Sequence, residues 1–213
     1  MKIKACILNM PNRKDRRHHI LTQFTDKEEY DVELVAPIQD SMPTRSLWLT
    51  LREIVKKEKE QDFFLFCEDD HTFTKYYDST SFIKCIDKAM SLNADILSGG
   101  VSWVNKVVSA DNNLFWIDKF SGLQFTIIFQ KFFRKIIDAP FSPNETADKK
   151  ISLLSNDKFV IYPYISIQKN FGYSDITLGN NCKDVELLFK KSEMLFHLYR
   201  KVEQIYKEEH GRR

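Results

Sequence analysis

The sequence predicts an α/β protein, an open mixed sheet, mostly parallel and flanked by helices, and three observations carry that prediction. Short apolar runs alternate along the chain with segments whose apolar residues recur at helical spacing. One run, Phe63 to Cys67, is apolar without interruption, as in a strand covered on both faces. The chain has 213 residues, 43% of them hydrophobic, which is enough to bury a single sizeable core.

The elements follow in order. Ile3 to Leu8 reads as a strand, and the turn Asn9 to Pro11 leads into a helix from Arg13 to Phe24. Asn12 is its N-cap, with Ile20, Leu21 and Phe24 on the apolar side. Val32 to Ala36 is a second strand and Pro37 to Pro43 a loop. Ser46 caps a helix with Leu47, Leu51, Ile54 and Val55 on its apolar face. After the buried run come a helix from Ser81 to Leu92, a short strand from Ala94 to Leu97, and the pair Gly99-Gly100. The stretch Val101 to Phe129 turns to strands. Lys131 to Ile137 is helical and stops before Pro140; Asp148 to Leu154 is a helix and Phe159 to Ile167 a strand. Asp184 to Glu209 forms a long amphipathic helix with Leu188, Leu195, Leu198, Val202 and Ile205 on one side, a stripe widened by Phe189, Phe196, Tyr199 and Tyr206. Its role is packing against the body, and a lipid-facing or dimer face is the other use open to its wide apolar stripe.

Composition excludes several classes. There are 32 Lys+Arg against 30 Asp+Glu, a formal charge of +2, which argues against a dedicated nucleic-acid binder, since that role needs a basic excess on one face. Six glycines and six prolines are too few for a low-complexity chain. Cys6, Cys67, Cys85 and Cys182 form no CxxC pair and are read as reduced thiols of a cytoplasmic protein. No signal peptide is indicated at the basic N-terminus, and no apolar run is long enough to span a bilayer.

The chemistry concentrates in Glu68-Asp69-Asp70, directly after the buried run. Three acids beside an apolar strand are costly unless a cation or solvent compensates them. In an extended backbone Glu68 and Asp70 point the same way, roughly 6.6 Å apart at Cα, while Asp69 points elsewhere. A pair of hard oxygen ligands suits Mg²⁺ or Mn²⁺ bound jointly with substrate phosphates. Ligands of open α/β sheets also collect at the carboxyl ends of strands. A solvated turn with capping acids is the other reading of the same residues. His71 is read as exposed beside that turn, with ligation its other use.

Taken together, several segments in this order resemble the glycosyltransferase family 25 group of lipopolysaccharide and lipooligosaccharide transferases. They are Ile7-Leu8-Asn9 with Arg13, Asp15, Arg16 and Arg17; Ser46 and its helix; the run into Glu68-Asp69-Asp70; Gly122 to Gln130; Asp148; and Pro163 to Ile176 with Gln168 and Ser174-Asp175-Ile176. The resemblance covers about residues 3 to 178. The chain departs from it at Ser46-Leu47, where the family usually has Ser-His, and at Ser41-Met42-Pro43, in place of a glycine-containing loop.

The resemblance implies a GT-A-like, Rossmann-like domain over residues 1–178, with residues 179–213 as a helical extension packed on the body. It implies an inverting, metal-dependent transfer of a hexose, galactose or glucose, from a UDP-sugar to a hydroxyl of a surface glycan or lipopolysaccharide. The alternative is a catalytically inactive nucleotide-sugar-binding protein of the same fold. Glu68 and Asp70 would hold Mn²⁺ or Mg²⁺, and Asn9, Arg13, Arg16, Asp69, Gly99 and Gly100 would contact the nucleotide sugar. Asp148 is the candidate base and Glu145 its reserve. Asp95, Gln168 and Asp175 are secondary polar candidates; Trp103, Trp116 and Phe171 could stack on sugars or pack in the core. The expected site is the cytoplasm, with peripheral contact at the inner membrane face through the C-terminal helix.

Overall fold

A computed structural model describes residues 2–172 and 185–210. The expected Ser174-Asp175-Ile176 motif, Cys182, the first residue of the long helix and the expected division at 178/179 lie outside the described residues. Twelve strands and six helices occur among the described residues: β1 (Ile3–Leu8), α1 (Lys14–Phe24), β2 (Tyr30–Val35), α2 (Pro43–Lys57), β3 (Phe63–Glu68), β4 (His71–Phe73), α3 (Ser79–Ser91), β5 (Ile96–Ser98), β6 (Trp103–Val104), β7 (Val107–Asp111), β8 (Leu114–Ile117), β9 (Phe120–Ser121), β10 (Phe125–Phe129), α4 (Gln130–Asp138), α5 (Ala147–Leu154), β11 (Lys158–Ile161), β12 (Ser166–Gln168) and α6 (Val185–His210).

Eight strands form one mixed sheet in the order β2-β1-β3-β10-β5-β11-β8-β7. β1 pairs in parallel with both β2 and β3, whereas β10 runs antiparallel between β3 and β5. The α/β class and the flanking helices therefore hold. The sheet is parallel through its first three strands and mixed beyond them.

The uninterrupted apolar run at β3 has a direct physical reason. Phe64 and Phe66 face one core, shared with Trp48, Leu51 and Val55 of α2 and with Phe132 and Phe133 of α4. Leu65 and Cys67 face the other, with Ile20 and Phe24 of α1 and Phe82 and Ile86 of α3. Each such side chain contributes about 1.5–3 kcal/mol on leaving water, so a charge on either face of β3 would break the layered packing.

Several boundaries differ from the expectations. Helix α2 begins at Pro43 rather than at a Ser46 cap: Met42 is the N-cap and Pro43 occupies the first turn, where a missing N–H costs nothing. Ser46 lies inside the helix, and its hydroxyl donates to the Ile38 carbonyl at 2.5 Å. Arg13, not Asn12, is the cap residue of α1, and it makes no side-chain capping bond. Helix α3 starts earlier because Asp78 accepts the Ser81 N–H. The expected strand Phe159 to Ile167 is split into β11 and β12, with Pro163, which has no N–H for a ladder, between them. The short strand β4 was not expected; it pairs with β12 in register Gln168↔His71.

Candidate functional site

A cleft of about 710 Å³ opens at the carboxyl ends of β1, β2 and β3. Leu8 and Met10 reach it from β1, Pro37, Gln39 and Asp40 from the loop after β2, and Glu68, Asp69 and Asp70 from the corner after β3. The far wall holds Ser102, Gly122, Leu123 and the start of α5 with Thr146 and Asp148. Gln168, Lys169 and Phe171 close it. Seven of the expected residues, Arg16, Glu68, Asp69, Asp70 and Asp148 with the secondary candidates Gln168 and Phe171, thus share one cavity.

The acid corner is held from β1 and α1. Asn9 donates its side-chain amide to Asp69 Oδ2 at 2.8 Å, and Arg16 places its guanidinium 3.0 Å from Asp69 Oδ1 and 3.6 Å from Asp70 Oδ2. Asn9 is buried. Its amide therefore orients the corner rather than facing a nucleotide. Asp69 is held by these two partners, and the expected alternation is corrected: β3 ends at Glu68 and the chain turns at Asp69-Asp70, so Asp69 lines the same cleft as Glu68 and Asp70 and shares the Arg16 guanidinium with Asp70. Lys169 donates its backbone N–H to the Asp70 carbonyl at 2.7 Å, and the Gln168 side chain hydrogen-bonds the Asp70 carboxyl.

Charge in this corner is under-compensated. Burial pushes the Glu68 carboxyl well above the usual carboxylate range, and repulsion from Asp70, Asp148 and Asp69 adds to the shift. Burial also raises Asp70 to about 6, against the pull of Arg16. Asp70 Oδ1 is buried and takes part in no hydrogen bond among the described residues. An orphaned carboxylate oxygen among mutually repelling acids fits a divalent cation, which would relieve both costs. Among the described residues, the acids of this corner bring no three ligand atoms within 4.8 Å of one another. A closed protein cage is therefore absent from that set, and the donors suit an ion whose shell a phosphate ligand completes.

Asp148 sits in the first turn of α5 and lines the cleft. Its Oδ1 accepts the Thr146 hydroxyl and the Lys149 N–H, and its Oδ2 accepts the Gly122 N–H at 3.3 Å. Gly122 has φ +109, a conformation that favours glycine. These donors fix the carboxylate, and a carboxylate has lone pairs to spare for a further proton donor.

Other expected contacts are corrected. Glu145 accepts the Ser142 N–H at 2.6 Å and pairs with Lys150 at 2.9 Å, which holds its carboxyl below the usual range, and it is absent from the cleft lining. Its carboxylate is spent on the loop before α5, so it is not positioned as a reserve base. Gly99 and Gly100 are buried and do not line the cleft. The chain after β11 crosses them so closely that a Cβ on Gly100 would lie 2.2 Å from the Ser166 carbonyl oxygen, and the Gly99 carbonyl accepts the N–H groups of Ile165 and Ser166. The close approach is therefore to backbone, not to a sugar. Arg13 is half-buried at the start of α1 and is likewise outside the lining. Asp95 is fully buried at the opposite end of the sheet, paired with Ser155, Lys131 and Lys135.

His71 is not exposed. It is fully buried, stacked on Phe125 with centroids 4.7 Å apart, with Nδ1 against the Ser166 hydroxyl, and burial drives its pKa well down. Trp116 binds the Asn156 carbonyl and Trp103 is half-exposed, both outside the cleft lining, whereas Phe171 lies in it under the Arg16 and Lys169 cations at 4.9 Å each. The reading of residues in isolation did not find Lys149 and Lys169, cationic residues of the lining. Each follows a residue singled out, Asp148 and Gln168, and that adjacency was the available signal.

A second cluster of potential ligands, Cys6, Glu33 and Glu58, lies away from the cleft. Glu33 is already paired with Lys4 and Lys57, and burial pushes the Cys6 thiol up to about 12. That arrangement is a protonated thiol beside an ion-pair network. Cys6, Cys67 and Cys85 are unpaired and buried, as expected of reduced thiols. Among the described residues no helix is long and apolar enough to cross a membrane.

No family model and no curated protein matches the sequence. Among solved structures, A197 from STIV is similar with a TM-score of 0.51 at 15% identity, over 79% of this chain and 86% of that one. An apo UDP-glucose pyrophosphorylase gives 0.48 at 10% identity over 92% and 82% of the two chains. A glycosyltransferase involved in the glycosylation of the major capsid of PBCV-1 gives 0.44 at 10% identity over 75% and 81%. At 15% identity the likeness to A197 is one of fold alone.

Proposed function

We propose that the chain is an inverting glycosyltransferase that moves a hexose from a UDP-sugar to a hydroxyl of a glycan acceptor, as its resemblance to the family 25 transferases implies. The observation that supports this reading best is the meeting of Glu68, Asp70 and Asp148 in one cleft at the carboxyl ends of the parallel strands. Glu68 and Asp70 are the residues that would hold Mn²⁺ or Mg²⁺, and the ion would supply Lewis-acid neutralisation of the diphosphate. Arg16, Lys149 and Lys169 line the same cleft and offer further positive charge to an anionic leaving group. Phe171 offers an aromatic face for a sugar or base.

Asp148 is assigned the proton. The acceptor oxygen forms its bond to the anomeric carbon as the bond from that carbon to the diphosphate breaks. UDP leaves with the electron pair, and the acceptor proton passes to the Asp148 carboxylate. The donors from Thr146, Lys149 and Gly122 hold that carboxylate in place while it does so.

A scan of nucleoside diphosphates by thermal unfolding, with and without Mn²⁺, tests the reading: UDP with Mn²⁺ should raise the Tm more than UDP or Mn²⁺ alone. The same Tm with every nucleotide would remove it. A second reading, a nucleotide-sugar-binding protein without turnover, is favoured by two features. Arg16 already neutralises part of the acid corner, and the apolar Leu47 lines the cleft where the family carries histidine. Mass spectrometry of reactions with a panel of UDP-sugars separates the two: a glycosylated product supports transfer, and bound, unconsumed donor supports the second reading.

A further inference from the structure

Among the described residues, helix α6 is docked by one side. Phe189 and Phe196 are buried among Phe115, Tyr162 and Tyr164, Ser192 bonds the Tyr164 hydroxyl, and Arg200 donates to the Asp111 carbonyl. Roughly 140° around the helix from that docked side, at about 100° per residue, runs a second apolar stripe. It comprises Leu195, Leu198, Val202 and Ile205, which are 39%, 56%, 56% and 48% exposed. Four large aliphatic side chains in one exposed row mark an interaction surface.

The spacing and the charges of that row select its partner. Lys191 precedes Leu195 by four residues and Glu209 follows Ile205 by four, both exposed, so the row steps 4, 3, 4, 3, 4 and reads the same from either end. The 3.5-residue period is that of a two-helix seam. We propose that a second copy of this chain packs against α6 in antiparallel orientation. About a two-fold axis near residue 200, Leu198 meets Val202 of the other copy, Leu195 meets its Ile205, and Lys191 meets its Glu209. Each end of the apolar seam is thereby closed by a pair of opposite charges. A parallel pair would set Lys191 against Lys191 and Glu209 against Glu209, which is repulsive. Lys201 flanks the seam near the axis, where its stem covers apolar surface and its ammonium stays in water. A lipid surface is the weaker occupant, because residues 185–209 carry five basic and five acidic side chains and so lack the basic excess that anionic membranes select.

Sedimentation of the full chain, with and without substitutions on the exposed row, tests the proposal. The wild type should sediment as a dimer with a Tm that rises with protein concentration, and Leu198→Asp as a monomer of half the mass with the same helical circular dichroism and a Tm independent of concentration. Lys191→Glu and Glu209→Lys should each weaken the dimer by at least about tenfold, because the two-fold axis turns the charge pairs at both ends of the seam into repulsive ones. The two together should restore it, a recovery that a parallel seam would not give. A single-chain mass for the wild type, a dimer indifferent to Leu198→Asp, or single charge variants that the double variant does not rescue would each overturn the proposal. So would a monomer that floats with phosphatidylglycerol vesicles.

Discussion

The two ends of the central sheet treat buried acids in opposite ways. At the amino end of β5, Asp95 is fully buried, with the Ser155 hydroxyl at 2.7 Å and the ammonium groups of Lys131 and Lys135 at 3.2 and 3.3 Å. At the carboxyl end of β3, Arg16 pairs with Asp69 and Asp70 among the described residues, and the Glu68 and Asp70 carboxyls are pushed upward by burial. Asp95 is fully buried and ion-paired, whereas Glu68 and Asp70 are half-buried and face a cleft, the difference between an acid that holds the fold and acids that, in the proposed function, take a ligand.

The contrast can be broken at several points. Asp148→Asn should lower kcat by about 10² to 10⁴, the usual worth of a general base, while UDP affinity stays near wild type. Equal loss of UDP binding, read by calorimetry, would make Asp148 a structural residue of the α5 turn. At the other end, Asp95→Ala should cost about 2 kcal/mol in urea unfolding, because the buried Ser155 hydroxyl loses its acceptor while the partly exposed Lys131 and Lys135 turn to water. The nucleotide site should be unaffected in the molecules that remain folded.

The smallest effect has the opposite sign. Asp70 has a folded pKa of about 6 against an ordinary 3.8, so the folded state holds the proton more tightly. Stability from this group is therefore greatest below pH 4, falls as pH rises between about 4 and 6, and stays low above that. Asp70→Asn should stabilise the metal-free protein at pH 7 by about 1–2 kcal/mol and have little effect at pH 4. Destabilisation at pH 7 would mean that Arg16 fully compensates the carboxylate and that the corner is structural, like Asp95.

Much of the first half of the chain is legible because its signals are local. Phe63 to Cys67 and the acids behind it announce a doubly covered strand and its carboxyl corner, and Asp148 shows as an acid opening a helix. The missed features depend on partners distant in sequence. Gly99-Gly100 reads as a turn or a ligand approach, and only the crossing of Tyr164 to Ser166 explains it. His71 follows two acids and looks exposed, yet pairing of β4 with β12 folds it inward against Phe125. Asn9 looks like a nucleotide contact because its bond to Asp69 spans 60 residues. Pro43 was the legible signal for the start of α2, outweighed by the better-known capping preference of serine.

The reversed direction of β10 has one more consequence. Because that strand enters the sheet from the cleft side, residues 103–121 leave the rim after Ser102 and return to it at Gly122, while β7 and β8 lie at the far edge of the sheet. The excursion works as a cassette anchored by both ends: insertions or drift in its middle alter the distant margin, and the Gly122 N–H continues to grip Asp148. Changes at that margin leave undisturbed the group assigned to take the proton.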